Sequence, residues 1–105
     1  MGKANSKTIL TFGEIKERII PLLNRYGIKR AGLFGSYARE QGSSSSDLDF
    51  VLDVPDSMDF SELMGLQELL KEVLDKEVDI VEFSELKGEM KYNVLKDMVL
   101  LYEQR

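Results

Sequence analysis

Gly35-Ser36-Tyr37-Ala38-Arg39, followed after six residues by Ser46-Asp47-Leu48-Asp49, is the stretch on which the reading of this chain turns. A strand that ends in Gly-Ser and turns into a helix exposes amide hydrogens, and glycine lets the backbone approach an anion closely. Such a turn can cradle a triphosphate, and it serves equally as a plain helix N-cap. Asp47 and Asp49 stand two residues apart, so on a strand both carboxylates leave the same face. They repel one another unless they share a cation. The alternative for this pair is a solvated loop, because Asp-x-Asp is a common arrangement.

Working outward, residues 28–34 are short, apolar and bounded by glycines, which predicts a strand running into the turn. Residues 37–41 then predict a short helix, and Gly42 with Ser43 to Ser46 a polar loop. In the next strand Leu48, Phe50 and Leu52 point one way, and Asp47, Asp49 and Val51 the other. Upstream, Thr11 and Glu14 form a capping box for a helix with Phe12, Ile15, Ile19, Leu22, Leu23 and Tyr26 on one face, ending at Gly27. Pro21 lies inside that helix and predicts a kink or an early end. Downstream of a connector containing Pro55, Asp59 and Glu62 open a long helix with Leu63, Leu66, Leu70, Val73 and Leu74 as its buried stripe.

Residues 77–83 predict a third strand with Val78, Ile80 and Phe83 inward, Ser84 caps the helix that follows, and residues 99–102 add a short edge strand. Asp79 interrupts this third strand and faces away from the side on which Val78 and Ile80 pack, so its own face is expected to be polar or catalytic. If this strand lies beside the second, Asp79 joins Asp47 and Asp49 in a three-carboxylate cluster suited to phosphoryl transfer. Otherwise it is a lone aspartate on an edge strand. Met58, Met64, Met90 and Met98 read as core or interface filler, Tyr92 and Tyr102 as packing, and Lys71-Glu72 and Asp75-Lys76-Glu77 as a solvated face. The alternation of helices and strands predicts an α/β or α+β sandwich in which helices cover a small sheet, taken here as α+β with a mixed sheet.

The 105 residues fit one domain, expected over 11–105 after a flexible N-terminus at 1–10. No room remains for a substrate domain, so a large substrate is expected to be held by a partner or at the surface. With no Cys and no His, there is no disulfide, thiolate nucleophile or cysteine zinc site, and a carboxylate is the expected proton acceptor. Oxygen ligands favour Mg2+, with Mn2+ as the alternative. A net charge of -5 and a pI near 4.8 leave no basic stripe for long nucleic acid. No apolar run approaches the roughly 18 residues of a spanning helix and no leader is visible, so no membrane partner and a cytoplasmic location are expected. Met1-Gly2-Lys3-Ala4-Asn5-Ser6 fits the permissive myristoylation pattern and equally a frayed terminus.

The Gly35-Ser36-x-Ala38-Arg39 and Ser46-Asp47-x-Asp49 motifs, at this spacing, resemble the signature of minimal nucleotidyltransferases of the polymerase-beta superfamily. Val78-Asp79-Ile80-Val81 is similar to the strand carrying that family's third carboxylate, and Val99-Leu100-Leu101-Tyr102-Glu103 to its C-terminal ending. The resemblance runs from the first helix onward and implies the polymerase-beta-type nucleotidyltransferase fold. It implies that Gly35 and Ser36 contact the nucleotide triphosphate, and that Asp47 and Asp49 hold two Mg2+ ions bridging its phosphates. Asp79 completes the metal site and helps to deprotonate the attacking hydroxyl. Arg39 is either a phosphate contact or one half of an ion pair, and Ser46 orients the carboxylates. Glu40 departs from the family pattern, which has glycine there. It either weakens nucleotide binding or pairs with Arg39 or solvent.

The function so implied is transfer of a nucleoside monophosphate, AMP from ATP, to a hydroxyl acceptor. Small stand-alone members of the family resemble antitoxins that bind an all-helical HEPT-domain toxin and adenylylate it on tyrosine. A non-catalytic antitoxin with a vestigial nucleotide site is the second reading, kept because of Glu40. A small-molecule nucleotidyltransferase is the third, although relatives of that kind are longer chains, and a homo-oligomer would have to supply the missing wall.

Overall fold

The computed structural model describes residues 10–35, 38 and 47–104. The turn after Gly35 lies almost wholly outside them, with Ser36, Tyr37, Arg39, Glu40 and the loop through Ser46, so the short helix expected over 37–41 falls there too. Ala38 is described: it is buried, in a turn.

Helix α1 (Phe12–Arg25) opens on the Thr11/Glu14 capping box, in which each side chain accepts a hydrogen bond from the other's backbone amide. It runs through Pro21 without ending early. The proline removes one hydrogen bond, but the last turn is kept by burial of Leu22 and Leu23 and by the Tyr26 amide donating to the Leu22 carbonyl at 3.0 Å. Helix α2 (Phe60–Leu74) opens on a second capping box, Asp59/Glu62, and buries Leu63, Leu66, Leu70 and Leu74.

Four strands, β1 (Arg30–Phe34), β2 (Leu48–Asp53), β3 (Val78–Glu82) and β4 (Val99–Glu103), form one mixed sheet in the order β3-β2-β1-β4. β1 pairs antiparallel with β2 and with β4, whereas β2 and β3 run parallel, joined through α2 as a crossover. One face carries Ala31, Leu33, Leu48, Phe50, Leu52 and Val78 into the main core against α1 and α2. Each large side chain buried there contributes roughly 1.5–3 kcal/mol.

The opposite face, which Asp79 led us to expect as polar or catalytic, is not polar throughout. Its middle is a second apolar cluster of Val51, Leu86 and Val94 with Phe34, Val81, Phe83 and Met98, covered by α3 (Gly88–Asp97). Gly32 makes this packing possible, since a Cβ there would lie 2.4 Å from the Met98 Sδ.

Other expectations are corrected on the same grounds. Phe83, just past the end of β3, packs on this second face with Val81, the side on which a period of two from Asp79 and Val81 puts it, and not inward with Val78 and Ile80. Ser84 lies inside a 3-10 turn, Phe83–Glu85, and caps nothing; α3 begins later, after Lys87, without a side-chain cap. Lys76 is only 7% exposed, not part of a solvated run. Tyr92 and Met90 are exposed on α3 rather than packed. Tyr102 is half-buried, and its hydroxyl donates to Asn24 Oδ1.

Candidate active site

Strand alternation sends Asp49, Val51 and Asp53 to the α3 side of β2, and Asp79 and Val81 to the same side of β3. The parallel register sets Asp49 opposite Asp79, on strands about 4.8 Å apart, and β3 is the neighbour of β2 that the carboxylate reading required. Phe34 is the register partner of Asp49 on its other side. Asp47 is exposed, immediately before β2. The amide of Leu48, between the two aspartates, donates to the Glu77 carbonyl at 3.0 Å and fixes the start of the pairing. Of the residues singled out from the sequence, Gly35, Asp47, Asp49 and Asp79 are thus gathered at one end of the second face. Ser36, Arg39 and Ser46 lie outside the described residues.

The electrostatics of this end are unbalanced. Burial holds the Asp49 carboxyl above its ordinary proton affinity, and the charges of Asp79 and then Asp47 push it further in the same direction. Among the described residues, no basic side chain forms an ion pair with Asp49 or Asp79. Nor do three acidic side chains converge there closely enough to hold an ion as they stand. The donor set is nevertheless the right one for a hard divalent cation. It consists of carboxylate oxygens alone, and a positive charge between them would offset both the burial and the mutual repulsion that disfavour the ionised form of Asp49.

Gly35 contributes something that the sequence did not reveal. Its backbone is left-handed, φ +81°, and the space a Cβ would fill is taken by Asp49, with Oδ2 2.6 Å from the Cβ position. Sequence reasoning also missed the apolar floor beside the carboxylates, Phe34, Val51 and Val81, although the placing of Val51 on the Asp49 face already pointed to it. A cleft of about 270 Å³ opens at the other end of β2, between Lys29, Asp53 and Glu82, away from these aspartates.

Comparison with known proteins agrees with this geometry. A Methanocaldococcus jannaschii protein provisionally named a protein adenylyltransferase is 37% identical over 90 residues, spanning 86% of this chain and 97% of its own. The Thermococcus cleftensis protein adenylyltransferase MntA is 33% identical over 78 residues, 74% of this chain and 79% of that protein. Among solved structures, a provisionally assigned minimal nucleotidyltransferase superposes with a TM-score of 0.74 at 26% identity, covering 86% of this chain and 95% of its own. A chain of a toxin-antitoxin crystal structure with AMP-PNP gives a TM-score of 0.73 at 25% identity, covering 86% of this chain and 74% of its own. The family model described as Polymerase beta, Nucleotidyltransferase matches residues 17–105, which contain the whole sheet and all the carboxylates discussed. The chain belongs to the polymerase beta nucleotidyltransferase family.

Proposed function

We propose that this chain is a Mg2+-dependent protein adenylyltransferase that moves AMP from ATP to a tyrosine hydroxyl of a HEPT-type toxin, and so acts as the antitoxin of a pair in the cytoplasm. The observation that carries the reading is the register of Asp49 against Asp79, which sets these two carboxylates on neighbouring strands. The names of the relatives support adenylyl transfer to protein, and the AMP-PNP-containing neighbour supports a toxin-antitoxin setting. The net charge of -5 supports a protein acceptor over long nucleic acid.

In this reading Asp47, Asp49 and Asp79 hold the divalent cation, which neutralises phosphate charge when bound. Gly35 and Ser36 receive the triphosphate, while Arg39 contacts it and Ser46 orients the carboxylates. Asp79, at the accessible edge strand, takes the proton of the acceptor hydroxyl. The acceptor oxygen bonds to the α-phosphorus, and the bond from that phosphorus to the bridging oxygen breaks to release pyrophosphate. Histidine is absent from the chain, which leaves this proton to a carboxylate.

Purified chain, α-labelled ATP, Mg2+ and the product of the neighbouring gene, mixed and followed for label transfer, test the proposal. Transfer that is lost in Asp47→Asn and Asp79→Asn is the expected result. Inhibition of the partner that is undiminished in those variants, with no transfer by the wild-type chain, would establish the non-catalytic reading instead.

A further inference from the structure

We propose that Gly35 is a positioning residue for Asp49, its missing side chain forming the seat in which the Asp49 carboxylate is held toward the cation. The inference rests on the metal-binding reading of Asp49 and gives Gly35 a task separate from any contact with phosphate. A Cβ on Gly35 would lie 2.6 Å from Asp49 Oδ2, but 3.5 Å from its Cγ and 3.7 Å from its Cβ. Only the outer oxygen is displaced by such a group. The conflict is therefore relieved by rotation of the carboxylate and leaves the strand in place.

The surroundings of Asp49 limit where that oxygen can go. Phe34 stands opposite Asp49 on β1, and Asp79 stands opposite it on β3. Turning away from Gly35 carries the carboxylate toward an aromatic neighbour or a like charge, and both disfavour it. Glycine at 35 thus does two things with one absence: it permits φ +81° and it leaves the carboxylate its seat.

The two contributions separate in a double-mutant cycle, because the backbone penalty of Gly35→Ala is the same whether or not Asp49 has a carboxylate. Thermal unfolding of metal-free wild type, Gly35→Ala, Asp49→Ala and the double variant gives the cycle, and titration with Mn2+ followed by electron paramagnetic resonance gives the metal affinity. We expect Gly35→Ala to weaken Mn2+ binding at least tenfold, and to lower the midpoint of unfolding less in the Asp49→Ala background than in wild type. If Gly35→Ala alone does not fold while the double variant does, the seat is equally supported. Equal losses in the two backgrounds, failure of both to fold, or unchanged Mn2+ affinity in Gly35→Ala would overturn the proposal. Wild-type protein that binds no Mn2+ removes the metal reading, and the unfolding cycle then decides by itself whether Gly35 seats the carboxylate.

Discussion

Asp49 and Asp53 leave the same face of β2 four residues apart, and their surroundings are opposite. Asp53 is paired across the strand with Arg30, whose Nε donates to Asp53 Oδ2 at 3.3 Å and whose guanidinium lies 4.3 Å from the centre of the Phe83 ring. Asp49 has Phe34 opposite on one strand and Asp79 on the other, and its carboxyl resists ionisation through burial and like charge. One end of the face is internally neutralised and contributes to stability. The other holds carboxylates that the described residues leave without a counter-charge. Between them lies the apolar cluster under α3, which separates the two ends by a dry floor.

The widest separation between the two ends is expected in activity. Asp49→Asn should lower label transfer on the order of 100-fold or more, by loss of a metal ligand. Asp53→Asn should stay within a few-fold of wild type in the same assay. Equal losses in the two variants would break the comparison.

Stability should invert that order. Arg30→Ala removes both the ion pair and the stacking on Phe83 and is expected to cost about 1–2 kcal/mol, measured by urea unfolding. The pair is half-exposed, so solvent screening keeps the figure modest. Asp49→Asn, in metal-free buffer, is expected to stabilise the fold slightly, because it deletes a charge that folding disfavours. A destabilised Asp49→Asn would show that the carboxylate has a structural partner after all.

The smallest effect is the pH dependence. Folding raises the proton affinity of Asp49, so the folded state binds the proton more tightly than the unfolded chain does. The stabilising contribution is fully present below the ordinary carboxylate range and is lost as pH rises through the raised value. Metal-free wild type should therefore lose stability relative to Asp49→Asn over that interval, in thermal melts stepped upward in pH from the ordinary carboxylate range. Added Mg2+ should flatten the difference.

How far these regions were legible in the sequence follows from the range of the interactions. Both capping boxes and the Leu63, Leu66, Leu70, Leu74 stripe are local patterns, and each is found as read. Asp79 was legible because it interrupts an apolar strand and Asp49 because it stands two residues from Asp47, and strand periodicity then fixes the face of each. The neighbouring of their two strands was required by the chemistry and is found in the sheet. The Arg30–Asp53 pair was not legible, since it depends on an antiparallel register that no local signal gives. Phe83 was set on the wrong face because it was grouped with Val78 and Ile80, whereas a period of two puts it with Asp79 and Val81. The seat at Gly35 joins residues fourteen apart across a turn, and a glycine in a Gly-Ser motif gives no sign of what fills the space beside it.

β3 is one of the two edge strands, paired among the described residues with β2 alone, and it carries Asp79. Edge elements exchange their amide hydrogens through partial openings that leave the remaining structure intact. The same opening would withdraw the third carboxylate while Asp47 and Asp49 stay with the inner strand. Inactivation by denaturant should therefore run ahead of global unfolding, with amide protection lost at Asp79 and Val81, whose amides face β2, before Asp49 and Val51, whose amides face β1, so that this enzyme loses its chemistry by fraying at a border well before its core melts.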